Sequence, residues 1–337
     1  MMRRTRSTWL ALGALCLLSM VQGCGTPAAS GQASAPRSVA PSGTAEPFGS
    51  ACRTPATRAL SAIAYDSATH NVVLFGGVGE DVYGDTWQWN GAGWQLAKTL
   101  TAPSPRSTVA AAFDDDHNLL VVYGGRGPSD TWLDDTWTWD GTSWTMATVA
   151  QHPVIRFAMG AFDHQIGKVV VFGLTPDYSA TQTWIWDGAW HQLSTGPQPP
   201  PRASSALAYD PSSQRVILFG GRSPDLTILS DTWAFDGTVW KQLTPSVQPP
   251  ARQNHAMASI SEGIVLLGGD ANGKTYADTW TWSAAGWQLI PTVRLPAAAW
   301  GIGGMTSVDG RAFIVAYAQR YACAQTYFYA NGEWSAA

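Results

Sequence analysis

Six times along the chain a tryptophan-rich segment recurs: GDTWQWNGAGW (84–94), DDTWTWDGTSW (134–144), TQTWIWDGAW (181–190), SDTWAFDGTVW (230–240), ADTWTWSAAGW (277–287) and AQTYFYANGEW (324–334). The closing tryptophans, Trp94, Trp144, Trp190, Trp240, Trp287 and Trp334, lie 46 to 50 residues apart. A fixed period of that length marks a supersecondary unit that cannot bury its apolar faces alone and must stack on copies of itself. The copies fill the chain from about residue 56 to its end.

Each unit holds two earlier strand-like runs. The first reads SAIAYD, VAAAFD, MGAFD, SALAYD or AMASIS, and the second NVVLFGG, NLLVVYGG, KVVVFGL, RVILFGG or GIVLLGG. Both are short, rich in β-formers and bounded by turn residues. The W-x-W segment supplies a third strand, whose period of two places Trp87 and Trp89 on one face. An Asn-Gly or Asp-Gly turn then leads to a fourth strand carrying the last tryptophan. Each indole buries about 150 to 250 Å² at roughly 25 cal/mol per Å², on the order of 3 kcal/mol after allowance for a compact unfolded state. The repeated segment is therefore expected to be the material that joins one unit to the next.

An initial Arg, an A-[YF]-D end to the first strand, a Gly pair after the second and the ending D-T-W-x-W-D-G-x-x-W recur in that order. Together they resemble the Kelch family of β-propellers over roughly 280 residues. The resemblance implies an all-β, six-bladed propeller with four antiparallel strands per blade, the first strand of each lining a central channel. Blades are expected at about 56–105, 106–155, 156–201, 202–251, 252–297 and 298–337. The sixth copy lacks the initial Arg and the Gly pair, as terminal repeats often do. All four of its strands come from the C-terminal end, so the ring needs a clasp between blades 6 and 1.

Ahead of the repeats, three arginines in MMRRTR precede the apolar run TWLALGALCLLSMV, the pattern of an export signal over residues 1–23 and too short to span a bilayer. The stretch Val21-Gln22-Gly23-Cys24 resembles a bacterial lipobox, which implies lipidation of Cys24 and anchorage to the bacterial cell membrane. Residues 24–50, rich in Ser, Ala, Pro and Gly, read as a flexible tether before a propeller domain at 51–337. Only 13% of the residues are charged, against about a quarter in ordinary soluble domains. Loss of Arg3, Arg4 and Arg6 leaves 17 basic against 24 acidic residues, a balance of −7 that offers nucleic acid no basic patch. Of four cysteines, Cys16 leaves with the signal and Cys24 takes lipid. An exported compartment permits Cys52 and Cys323 to pair. In an up-and-down blade both lie on one face, so this disulfide would clasp the ring and stabilise by about 4 to 5 kcal/mol in the chain-entropy model.

Internal symmetry separates scaffold from site: a residue present in every blade serves the fold, and one unique to a blade is the better functional candidate. Arg58, Arg106, Arg156, Arg202 and Arg252 open the first strands and ring one mouth of the channel. A fivefold repeat matches a fivefold structural need, so each is expected to pair with a repeated Asp such as Asp85, Asp135, Asp231 or Asp278, or with a turn Asp such as Asp66, Asp114, Asp163 or Asp210. Anion binding by the five guanidinium groups is the alternative. The connections between second and third strands are individual, and loops on a rigid scaffold carry binding. They supply the ligand-binding candidates Arg126, Arg222, Asp270, Trp132, Tyr178, Trp300 and Tyr321. In eukaryotic Kelch domains that bind acidic peptides, arginines in comparable positions contact ligand, and that likeness reaches Arg126 and Arg222 alone.

No cofactor, metal site or catalytic residue is expected. The histidines are scattered, no cysteine is spare for a galactose-oxidase-like copper site, and no nucleophile triad appears by spacing. The expectation is a monomeric, non-catalytic module that presents rim loops to a protein or glycan at the cell envelope. The alternative is a sugar-processing, mutarotase-like enzyme that uses the channel.

Overall fold

The computed structural model describes residues 53–193, 196–291, 301–317 and 324–337, all within the unit Phe48–Ala337. Six four-stranded antiparallel sheets follow one another along the chain, each with its strands side by side in sequence order. Blade 1 comprises Ala62–Asp66, Asn71–Phe75, Thr86–Trp89 and Trp94–Leu96. The first strands of the next five blades are Ala110–Asp114, Arg156–Asp163, Ala206–Asp210, Ala256–Ile260 and Gly301–Val308. Each first strand runs against those of its two neighbours, blade 6 against blade 1 included, so the ring closes at six. The only helical turn among the described residues is a 3-10 turn at Pro128–Asp130.

Second strands are apolar on both faces because each blade is sandwiched between two others; Val73, Leu74 and Phe75 are all fully buried. Six apolar clusters fill the six junctions. Between blades 3 and 4, for example, Val170, Phe172 and Ile185 meet Val216, Leu218, Trp233, Phe235 and Trp240. Every junction contains at least one of the repeated indoles, as the repeat spacing predicts. Trp139, Trp190 and Trp240 are among the largest fully buried side chains.

The threonine of the D-T-W motif has a role that periodicity does not reveal. In five blades the closing Trp donates its indole N–H to the threonine of the preceding blade: Trp144 to Thr86 (2.9 Å), Trp190 to Thr136 (2.8 Å), Trp240 to Thr183 (2.9 Å), Trp287 to Thr232 (2.9 Å) and Trp334 to Thr279 (3.2 Å). A buried N–H left without an acceptor would cost about 1–3 kcal/mol, so the threonine is what lets a large apolar wedge carry a polar edge into a dry joint.

The seam between blades 6 and 1 is built differently. Trp94 is buried, but its indole N–H finds no acceptor. Trp89 packs instead on Phe313 and Phe328, with ring centroids 4.8 and 5.8 Å away. On the turn side the Tyr65 hydroxyl donates to Asp309 (3.0 Å) across the seam and meets His70 Nδ1 at 2.9 Å. Burial, then the Asp309 contact, pushes the Tyr65 hydroxyl up to about 12. On the other side the Ala324 N–H donates to Thr54 Oγ1 (3.2 Å). Cys52 and Cys323, the expected clasp, lie outside the described residues, as do Cys24 and the signal and tether segments.

The Gly pairs do more than end a strand. In blades 2 and 4 the second strand continues through them, as Leu119–Arg126 and Arg215–Arg222, with a register shift at the glycines. Gly220 sits at φ +61, and a Cβ there would lie 2.7 Å from the Arg252 carbonyl oxygen of the next blade. Its neighbour Gly221 donates its N–H to that same oxygen (2.9 Å). Only a residue without Cβ permits so close an approach in a left-handed conformation.

Candidate functional site

The four scaffold arginines are consumed by the fold. Arg202 is wholly buried. It donates Nη1–H and Nη2–H to the two oxygens of Asp231 (2.6 and 2.7 Å), Nη1–H to Gly220 O (3.1 Å) and Nε–H to Pro200 O (3.0 Å). Arg58 with Asp85, Arg106 with Asp135 and Arg252 with Asp278 repeat the arrangement. The same aspartate accepts the first indole N–H of W-x-W, as Trp233 to Asp231 (2.6 Å) and Trp280 to Asp278 (2.8 Å) show. Burial alone would raise the Asp231 pKa, but the Arg202 guanidinium overrides it and the carboxyl ends below its ordinary value; Asp135 and Asp278 behave alike. These pairs are structural at four of the five expected positions, and their guanidinium groups are not an open anion site. The turn aspartates serve otherwise: Asp66 accepts from the N–H groups of Ala68 and Thr69 at the opposite face.

Arg156 departs from its assignment as the fifth member of that ring. In the other four blades the residue after the scaffold arginine bridges the residue after the Gly pair: Ala59 with Val78, Ser107 with Arg126, Ala203 with Arg222 and Gln253 with Asp270. In blade 3 it is Arg156 itself that pairs, with Leu174. Ile155, 4% exposed, therefore occupies the scaffold arginine's place. Two further changes match: Gln182 stands where blades 1, 2, 4 and 5 have Asp, and accepts from Trp184 (3.0 Å), and Gly173-Leu174 replaces the Gly pair and its following residue with one residue fewer. Blade 3 also has eight residues from Arg156 to Asp163, against nine from Arg202 to Asp210. That one-residue difference was the available signal.

Released from the scaffold, Arg156 turns to the rim. Its Nη1–H donates to the Tyr178 hydroxyl (3.1 Å), and its Cζ lies 5.4 Å from the Trp132 ring centroid and 5.5 Å from that of Tyr178. Phe157 completes the group, edge-on to Trp132 at 4.9 Å and 6.3 Å from Tyr178. No described carboxylate pairs with Arg156. Phe157 has φ +51, but Leu60, Thr108, Ser204 and Asn254 share that conformation in the other blades, so it belongs to the scaffold.

The candidates from sequence thus divide. Trp132 and Tyr178 are brought together, bridged by Arg156 and Phe157. Arg126 adjoins them, as Trp132 is its partner across the strand pair, and forms an ion pair with Asp130 (2.6 Å) of its own connection. Arg222 and Asp270 hold equivalent stations on blades 4 and 5. Asp270 accepts from Gln253 Nε2 (2.9 Å) and Asn254 Nδ2 (2.8 Å). Blade 5 carries an additional small ribbon at this rim, Asp270–Ala271 with Lys274–Thr275, where the sequence suggests only a loop. Trp300 and Tyr321 lie outside the described residues. His255, at the mouth end of blade 5, is buried against Phe219, and neither ring nitrogen finds a partner. Burial, then the nearby Arg252 charge, brings its pKa down to about 3.

A closed ring of six blades, an Arg–Asp–Trp unit at one mouth and rim connections that differ from blade to blade define a six-bladed β-propeller with a loop-built rim. The family model of the KLHDC2/KLHL20/DRC7 Kelch-repeats domain matches residues 180–335. No curated protein matches the chain.

Proposed function

We propose that this propeller is a non-catalytic binding module, exported and lipid-anchored through Cys24, that presents its blade 2–5 rim to a protein or glycan partner at the cell envelope. One observation carries the reading: the polar groups repeated around the ring are spent on the fold, whereas rim groups confined to one or two blades, Arg126, Trp132, Arg156, Tyr178, Arg222 and Asp270, lie on one face. The Thr54–Ala324 hydrogen bond supports the Cys52–Cys323 disulfide, since each of these residues lies within two positions of a cysteine; non-reducing mass spectrometry of the exported protein should find that linkage. The functional test is affinity capture from solubilised envelope with the full chain as bait. The Arg126→Ala/Arg222→Ala double variant should lose the captured partner while melting at the wild-type temperature. Capture that survives this variant, or turnover of a sugar anomer by the purified protein, refutes the reading.

A further inference from the structure

We propose that the Arg156, Trp132 and Tyr178 cluster between blades 2 and 3 is a subsite for a carboxylate-bearing sugar residue, a uronic acid within a saccharide chain. The proposal rests on the rim-binding reading above and assigns ligand chemistry to one part of that rim.

Three features carry it. First, the guanidinium is presented. Every other blade that has this arginine buries it in a two-point pair with aspartate, but Ile155 and Gln182 have displaced both halves of that pair in blade 3. Arg156 keeps one hydrogen bond, to the Tyr178 hydroxyl, and is only half-buried, leaving further donors in the planar arrangement that suits a carboxylate. Second, the cation is flanked by flat aromatic surface. Trp132 and Tyr178 are themselves half-buried, and each ring centre lies within 5.5 Å of the guanidinium carbon. Charge and aromatic faces therefore sit within the span of a single sugar ring. A pyranose offers a matching face, because its polarised C–H groups are drawn to the negative face of an aromatic ring while its carboxylate reaches the cation.

Third, the remaining polar groups suit hydroxyls rather than more negative charge. Asp134, 59% exposed, stands two residues beyond Trp132 with His152 at 3.4 Å. Asp177 precedes Tyr178, and hydrogen bonds from Thr175 and Ser179 hold its carboxyl down to about 2. Exposed carboxylates accept from sugar hydroxyls but repel a run of acidic side chains. This separates an acidic sugar, with one charge per ring, from an acidic peptide.

The test is calorimetric titration of the full chain with an oligomer of galacturonate, beside a galactose oligomer of equal length and a glutamate-rich peptide. Binding of the acidic saccharide, weakened at least tenfold by Arg156→Gln and by Trp132→Ala, is expected, with the galactose oligomer at least tenfold weaker on the wild type. Arg156→Lys should fall between wild type and Arg156→Gln, because it keeps the charge and loses the two-point geometry. Lys241→Gln, an exposed cation on the fourth strand of blade 4, Trp240–Leu243, should leave the titration unchanged, and melting curves confirm that each variant is folded. No binding of the acidic saccharide, binding indifferent to Arg156→Gln, or preference for the peptide overturns the proposal. If the saccharide fails while envelope capture still depends on Arg126 and Arg222, this subsite assignment falls alone; if both fail, the rim-binding reading falls with it.

Discussion

Blade 3 is a natural double substitution of the scaffold pair, and the rest of the ring can be tested against it. In blade 4, Asp231→Gln leaves the Arg202 guanidinium buried without its counter-charge. Breaking a buried pair from one side costs about 3–5 kcal/mol. Arg202→Ile leaves Asp231 better placed, because its carboxylate is 20% exposed and keeps the Trp233 indole at 2.6 Å. It does strip the Gly220 and Pro200 carbonyls of a donor, worth about 1–3 kcal/mol. Independent effects would therefore sum to about 4–8 kcal/mol in the double variant. Because Ile155 and Gln182 already occupy the corresponding places in a well-packed blade, the double variant should instead recover about 2–3 kcal/mol of that sum, within the coupling seen for contacting residues. Urea unfolding of the four proteins, followed by tryptophan emission, measures the coupling directly. Additivity within about 0.5 kcal/mol would refute the claim that the two positions form one exchangeable unit.

Two further outcomes follow from buried polar groups. His255 is held neutral with its folded pKa down at about 3, while the unfolded side chain titrates near 6.5. Its contribution is therefore complete above pH 6.5 and is lost as pH falls toward 3, at up to about 1.4 kcal/mol per pH unit. Blades 1 and 4 carry Ser61 and Ser205 at the same station, so His255→Ser should flatten the stability profile between pH 6.5 and 4.5, read from melts across that range. Thr183→Val should cost about 1–3 kcal/mol by leaving the Trp240 indole N–H buried without an acceptor. Trp94→Phe, where no such bond exists, should cost less in urea unfolding than Trp240→Phe.

Periodicity alone specified the blade count, the strands and the burial of the indoles, because those depend on patterns that recur six times. The Arg–Asp pairing was legible for the same reason: Arg58, Arg106, Arg202 and Arg252 each meet the aspartate of their own blade. The role of the D-T-W threonine was not, since the Thr183–Trp240 bond joins residues 57 apart on different blades and nothing local marks it. Arg156 was misplaced for a subtler reason. Aligning repeats by residue type put it with the other arginines, whereas strand register, set by backbone hydrogen bonds, placed Ile155 there. When type and register disagree by one residue, a side chain crosses from the core side of a strand to the other face.

That crossing connects the scaffold to the proposed function. Two blades lack the scaffold aspartate, with Gln182 in blade 3 and Gln325 in blade 6, and each accepts from its neighbouring aromatic, Trp184 or Tyr327. The blades differ in what the loss makes possible. Blade 6 has no arginine at the start of its first strand, and its exceptional residues, Phe313, Phe328 and Asp309, are used to close the seam with Trp89 and Tyr65 of blade 1. Blade 3 has ordinary neighbours and no seam to close. Its junction with blade 2 retains the full apolar cluster and the Trp190–Thr136 bond. Moving the arginine outward therefore left the joint intact. The altered blade retains its mechanical role, and the displaced guanidinium stands among rim aromatics where a ligand can reach it.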